Sequence, residues 1–338
     1  MNVLSLFDGM SCGQIALERA GIKVNNYFAS EIDKHAIKVT QHNYPQTKQI
    51  GSVVDVNAKD LPKIDLLYGG SPCQGFSFSG KQLNFEDPRS KLFFEFVRLV
   101  NETKPTYWML ENVMMKKEYQ DLISQYLGVE PVKINSSLVS AQNRNRLYWA
   151  NFDINQPQDK GIILKDIVED GLTSLGLAQR GRYENDKIIQ KYELNGKKKS
   201  NTLTTVAKDT LLFIPVDKHS SKNGLVCLGG VMKQTHKLWL NDGKLLQRNF
   251  SQGNRVYSEK GKSTTLNANS GGIGGKTGLY EIEGVIRKLT RRECERLQTV
   301  TENYTNPVSD TQAIMMLGNG WTVDVITHIF KGMSKPTE

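Results

Sequence analysis

Cys73 stands in Gly69-Gly70-Ser71-Pro72-Cys73-Gln74-Gly75, just after the apolar run Ile64-Asp65-Leu66-Leu67-Tyr68. Glu111 stands in Glu111-Asn112-Val113, at the end of a second such run, Thr106-Tyr107-Trp108-Met109-Leu110. Both runs read as buried strands closed by turn residues. Open α/β sheets hold their ligands at the carboxyl ends of strands. A thiol there is a strong nucleophile and a carboxyl a proton donor or acceptor, so the two make a candidate pair for covalent catalysis with proton transfer. A lone cysteine is more often a small buried apolar residue; the glycine-flanked strand end is what sets Cys73 apart.

A second group of residues suits a nucleoside. Phe7-Asp8-Gly9-Met10-Ser11-Cys12-Gly13 lies between the first strand-like run and the first helical stretch. Gly9 and Gly13 permit a tight turn and close approach of a ligand to backbone amides at a helix start. The spacing is not G-x-G-x-x-G, which argues against a nicotinamide dinucleotide. Glu31 closes the second run, where an acid can accept both hydroxyls of a ribose. Asp55-Val56 follows the third, within reach of an adenine amino group.

The elements that must position these groups alternate along residues 1–152. Strands are predicted at Val3–Phe7, Val24–Ser30, Val53–Val56, Ile64–Tyr68, Thr106–Leu110, Val132–Leu138 and Arg146–Phe152. Helices are predicted near Gly13–Ala20, Lys34–Asn43, Ser90–Glu102 and Lys117–Leu127. That rhythm predicts an α/β fold with a doubly wound, mostly parallel sheet. Residues 153–285 change texture, with Lys, Asn, Gly, Ser and Thr between short β-like runs such as 211–214 and 224–228, and predict a smaller, mostly β second domain. Helical character returns in 286–338, at Thr290–Gln298, Thr311–Met316 and Val323–Lys331, a segment expected to fold back onto the first domain. Lys199-Ser200-Asn201-Thr202-Leu203 and Lys262-Ser263-Thr264-Thr265-Leu266 share the pattern K-S-x-T-L.

Composition narrows the function classes. No stretch approaches 18 apolar residues, which argues against a transmembrane helix, and the first residues lack the pattern of a signal peptide. Cys12, Cys73, Cys227 and Cys294 show no C-x-x-C pairing and no accompanying His cluster, so neither zinc, nor any other metal, nor a disulfide framework is expected. A reducing cytoplasm suits them. The 44 Lys and Arg against 35 Asp and Glu leave a net charge of +9, a balance that suits a nucleic-acid partner.

Taken together the motifs resemble those of the C5-cytosine-specific DNA methyltransferases, which depend on S-adenosylmethionine. Phe7-Asp8-Gly9 resembles the family's opening cofactor motif, with Ser11 and Cys12 where many members carry glycines. Ser30-Glu31-Ile32-Asp33 is similar to the ribose motif and Asp55-Val56 to the adenine motif. Pro72-Cys73-Gln74 matches the nucleophile motif, Glu111-Asn112-Val113 the acid motif, and Gln142-Asn143-Arg144-Asn145-Arg146 the family's Q-x-R-x-R. Residues 287–298 resemble its ninth motif, with Arg292 where proline is frequent, and Gly318-Asn319-Gly320-Trp321-Thr322-Val323 resembles the last.

The resemblance implies a mixed sheet of the S-adenosylmethionine-dependent methyltransferase type, and it implies roles. Cys73 would add to C6 of cytosine while Glu111 donates to N3. Arg146 would reach O2, Arg144 would hold Glu111 or a phosphate, and Asn112 would orient the site through backbone contacts. Either arginine is a candidate for lowering the thiol pKa of Cys73. The cofactor would rest on Phe7, Asp8, Gly9, Ser11, Cys12, Gly13, Glu31, Ile32, Asp55, Val56 and Pro72, completed by Asn319, Gly320, Trp321 and Val323. The target cytosine must leave the stack to be attacked. A loop from Gln74 through Ser77 to Arg89 is expected to close over it.

Residues 153–285 would read the DNA, with Lys197-Lys198-Lys199 on phosphates and Arg, Asn and Gln on base edges. Gln142, Thr265, Leu266 and Arg287 are further candidate DNA contacts; Thr202-Leu203 is the alternative to Thr265-Leu266. Gly271-Gly272-Ile273-Gly274-Gly275 reads either as a DNA-facing loop or as a surface turn. The expected partner is double-stranded DNA, bound by a monomer. A tRNA cytosine methyltransferase on the same scaffold and a non-catalytic DNA-binding relative are the competing readings.

Overall fold

The computed structural model describes residues 1–72, 88–169, 178–184, 187–193, 211–220, 224–233, 240–241, 244–245, 252–268, 274–283 and 285–333. Two compact units divide the chain. One comprises Met1–Ser140, Arg144–Gly161 and Glu295–Glu338, the other Ala141–Asn143 and Ile162–Cys294. The change of texture near residue 152 thus precedes the physical divide, and Arg287–Cys294 group with the second unit.

The first unit holds strands β1 (Asn2–Leu6), β2 (Asn26–Ser30), β3 (Lys48–Gln49), β4 (Leu66–Gly70), β5 (Tyr107–Val113), β6 (Val132–Asn135) and β7 (Asn145–Ala150). Their order is β3-β2-β1-β4-β5-β7-β6. The first five run parallel, while β7 is antiparallel to β5 and β6, so the sheet is mixed. Helices α1 (Cys12–Arg19), α2 (Lys34–Asn43), α3 (Pro88–Thr103) and α4 (Lys117–Leu127) connect strands, and α5 (Arg291–Leu297), α6 (Asp310–Asn319) and α7 (Val323–Lys331) end the chain. Val3–Leu6 and Leu66–Tyr68 are buried throughout, as parallel strands covered on both faces must be. Leu4, Leu6, Leu67, Phe93, Phe96, Leu110 and Trp149 belong to one core cluster.

Three predicted elements differ locally. Val53–Val56 is no strand: Val53–Asp55 form a single 3-10 turn. Val53 and Val56 are buried while Val54 and Asp55 are exposed, which is the period of a turn and not the alternation of a strand. The third strand is instead Lys48–Gln49. Helix α3 starts at Pro88, two residues earlier than predicted, because a proline ring fits the first helical position. Strand β6 stops at Asn135, whose side chain accepts from the Ser137 N–H and turns the chain into a 3-10 turn.

In the second unit, β8 (Ala178–Glu184) and β9 (Lys187–Glu193) form a hairpin, as do the short β12 (Leu240–Asn241) and β13 (Lys244–Leu245). Strands β10 (Leu211–Ser220), β11 (Val226–Lys233), β14 (Arg255–Ser258), β15 (Leu279–Ile282) and β16 (Val285–Arg287) make a five-stranded sheet in that order. Val256 and Leu279 meet in its small core. No helix among the described residues is long and apolar enough to cross a membrane.

Candidate active site

The turn after β1 departs furthest from relaxed backbone. Phe7, Gly9 and Ser11 all take positive φ, at 57°, 60° and 59°. Two of the three are not glycine, and the left-handed region costs such residues on the order of 1 kcal/mol each. Asp8 fixes the turn. Its carboxylate accepts from the Ser5 hydroxyl at 2.6 Å, the Tyr27 hydroxyl at 2.6 Å and, by a short bond, the Ser11 hydroxyl. Burial pushes Asp8 up to about 6, against the pull of those hydroxyls and with help from the charge of Glu31. Asp8 therefore points its carboxylate at hydroxyls inside the unit and shapes the turn.

Glu31, at the end of β2, accepts from the Gly9 N–H at 2.7 Å on one oxygen and from the Ile32 and Asp33 N–H groups at 2.8 Å on the other. It ties the first turn to the start of α2, which Asp33 caps by accepting from His35. Ile32 beside it is 77% exposed and Val54 54% exposed. These are two of the three large apolar side chains left open among the described residues, and each precedes or follows a carboxylate assigned to the nucleoside. Asp55 is exposed, whereas Val56 is a core residue and contributes no side chain to a ligand.

A Cβ at Gly13 would lie 2.2 Å from the Tyr68 hydroxyl, so the packing of Tyr68 requires glycine there. Tyr68 shares a 2.6 Å hydrogen bond with Tyr27. Cys12 is buried and its thiol is pushed up to about 12 by that burial, which keeps it inert.

Strands β4 and β5 are adjacent and parallel, with Gly70 paired in register with Glu111. Asn112 donates to the Ser71 hydroxyl at 3.1 Å, and its side-chain oxygen accepts from the Val113 N–H. It thereby braces the peptide that leads into Pro72. Cys73, Gln74 and Ser77 lie outside the described residues, as do Thr202-Leu203 and Lys197–Lys199. Glu111 is 8% exposed. Arg146 Nε lies 3.0 Å from one carboxylate oxygen and Trp321 Nε1 donates to the other at 3.0 Å.

Arg146 is thus the arginine that holds Glu111. Arg144 is buried, and its guanidinium donates to the carbonyls of Gly318 at 3.2 Å and Gly320 at 2.8 Å. It fastens the segment carrying Trp321. Asn319 is exposed, while Val323 is wholly buried at the start of α7 and packs in the core.

Within the second unit, Gln142 pairs through its backbone with Ser263, and the Thr265 hydroxyl donates to the Asn143 carbonyl at 2.7 Å. Gln142 is fully buried with neither amide atom hydrogen-bonded, and Leu266 is buried. Arg287 does not face outward as a DNA contact would. Its two terminal nitrogens lie 2.8 and 2.7 Å from the carboxylate oxygens of Glu293. Burial works to raise the Glu293 carboxyl, but the Arg287 fork and the N–H groups of Glu169 and Thr290 hold it below the usual range. Among the described residues no cluster of His, Cys, Asp and Glu could hold a metal ion.

Tyr27, Tyr68 and the Trp321–Glu111 bond escaped the sequence reading. An aromatic in an apolar run reads as core, and nothing in the chain order announces that its polar tip meets a carboxylate 210 residues away.

The model of the C-5 cytosine-specific DNA methylase family matches residues 1–127 and 133–335. The type II methyltransferase M.HhaI of Haemophilus parahaemolyticus is 31% identical over 97% of this chain and 93% of its own length. The orphan methyltransferase M.Rho11sI of Bacillus phage rho11s is 32% identical over 85% of this chain, which spans 61% of that relative. The solved structure of the Entamoeba histolytica methyltransferase EhMeth superposes with a TM-score of 0.65 at 16% identity, covering 98% of this chain and 97% of the other, and so shares the fold. The chain belongs to the C-5 cytosine-specific DNA methylase family, whose reaction is methylation of DNA cytosine at C5.

Proposed function

We propose that the protein transfers a methyl group from S-adenosylmethionine to a flipped-out cytosine in a specific duplex DNA sequence, acting as a monomer in the cytoplasm. The observation that carries the residue assignment is the pairing of Gly70 with Glu111 at adjacent strand ends. It brings Gly70, three positions before Cys73 in the sequence, beside a carboxylate held by Arg146.

The residues at the sheet edge fit the cofactor. Glu31 can accept from ribose hydroxyls, Asp55 is free to meet an adenine amino group, and the open apolar surfaces of Ile32 and Val54 suit the flat faces of a purine. Backbone amides of the strained Phe7–Gly13 turn lie at the start of α1, where a carboxylate is favoured. S-adenosylmethionine, when bound, supplies an electrophilic methyl group on sulfur.

C5 of cytosine is a poor nucleophile. Addition of the Cys73 thiolate to C6 saturates the 5,6 bond and places electron density on C5. Glu111, carrying a proton, donates it to N3 as Cys73 adds, and Arg146 steadies the ring at O2. After C5 takes the methyl group, a base or water removes the C5 proton, the Cys73–C6 bond breaks to regenerate the thiolate, and N3 gives its proton back to Glu111. Residues 153–285 supply sequence readout, with Thr265-Leu266 supporting the target pocket.

The test is methyl transfer from tritiated cofactor to duplex DNA and to bulk tRNA. Label in DNA, lost in Cys73→Ser with binding retained, is the expected result. Label in tRNA alone, or full transfer by Cys73→Ser, overturns the reading.

A further inference from the structure

We propose that Trp321 is a positioning residue for Glu111: its indole N–H fixes the plane of the carboxyl group, an inference that rests on the catalytic role given above to Glu111. The last torsion of a glutamate is broad and weakly preferred. A carboxyl anchored at one oxygen can therefore still swing. Arg146 anchors one oxygen of Glu111, and Trp321 Nε1 anchors the other at 3.0 Å. With a donor on each oxygen, the group has one orientation left in which to meet a ring nitrogen.

Two further observations show that the fold is built around this bond. Gly70, opposite Glu111 in the sheet, leaves just enough room for it. A Cβ at Gly70 would lie 2.9 Å from the Glu111 oxygen and 3.2 Å from Trp321 Nε1. The indole is also not free to turn. Its ring packs 5.6 Å from the ring of Tyr68, which packs against Phe330 at 5.4 Å. Arg144, gripping the carbonyls on both sides of Asn319, sets the approach of the backbone to Trp321. The sequence had suggested only a wall of the cofactor pocket for this tryptophan; the hydrogen bond gives it a second target.

Trp321→Phe keeps a flat ring against Tyr68 and removes the donor. Leaving a buried carboxyl oxygen without its donor costs about 1–3 kcal/mol, so kcat should fall about 5- to 150-fold if the bond matters to the reacting state. Dissociation constants for S-adenosylhomocysteine and duplex DNA should stay within about threefold, and the melting temperature should hold. Gly70→Ala, whose Cβ wedges the same bond apart, should lower kcat alike, and the double variant should be no slower than the slower single one. Weakened S-adenosylhomocysteine binding with unchanged kcat would make Trp321 a cofactor wall alone and overturn the proposal, as would unchanged kcat in either variant. Glu111→Gln separates the two levels. Transfer that survives it sinks the catalytic assignment, whereas its loss beside a fully active Trp321→Phe sinks only the positioning role.

Discussion

In the first unit, the side chains marked for chemistry end at the carboxyl edge of the sheet and share their polar atoms with the turns they shape. Glu31 holds Gly9 and the start of α2; Glu111 is held by Arg146 and Trp321. In the second unit, the marked side chains are enclosed. Arg287 grips Glu293, Leu266 is buried, and Thr265 is tied to the Asn143 carbonyl. The difference teaches that a family motif can mark residues at a sheet edge in one place and an internal clamp in another. At a sheet edge the backbone leaves polar groups open; within a small sheet unit the same residue types pair with one another beside a small apolar core.

The comparison is broken most severely at Arg287. If it is a clamp, Arg287→Ala strands a carboxylate that is 0% exposed and should destabilise the protein by about 3–5 kcal/mol in chemical denaturation. A DNA contact would instead lose affinity with stability intact. Asp8 gives the next largest effect, in the first unit. Its carboxyl rises from 3.8 unfolded to about 6 folded, so the stability Asp8 contributes is fully present below about pH 4 and is lost as pH rises through 6. The loss amounts to at most about 3 kcal/mol, because Asp8 keeps some solvent contact. Asp8→Asn should abolish that decline when the two proteins are unfolded side by side from pH 4 to 7.

Gly13→Ala should cost about 1–3 kcal/mol through overpacking against Tyr68. Were Gly13 a ligand cradle only, the apo protein would melt unchanged and cofactor affinity alone would drop. The smallest effect is expected at Thr265→Ala, about 1 kcal/mol for the hydrogen bond to Asn143. The variant should also weaken DNA binding or turnover; if both hold, Thr265 has no part in the target pocket.

Much of the first unit was legible because its strands are short apolar runs closed by glycines and its helices carry caps such as Asp33. Where periodicity was ambiguous the reading slipped: Val53-Val54-Asp55-Val56 looks extended by composition, and only the burial of its first and last residues reveals a turn. Residue types named the participants at the site without their orientation. Asp8 and Glu31 are both acids beside a glycine turn, yet one faces hydroxyls inside and the other backbone amides at the edge. Arg144 and Arg146 are two residues apart, yet Arg144 donates to the Gly320 carbonyl and Arg146 pairs with Glu111.

By itself the sequence determined the class of fold, the order of the motifs and the chemistry of a thiol paired with a carboxyl. These follow from local periodicity and from what side-chain groups can do. Only the tertiary structure decided which arginine meets Glu111, why Gly13 and Gly70 have no side chain, and that Trp321 ends on a carboxylate far away in the chain. Such contacts are set by the register of neighbouring strands and by the packing of rings that share no local pattern. Distances between groups remote in sequence exist only once the chain has folded.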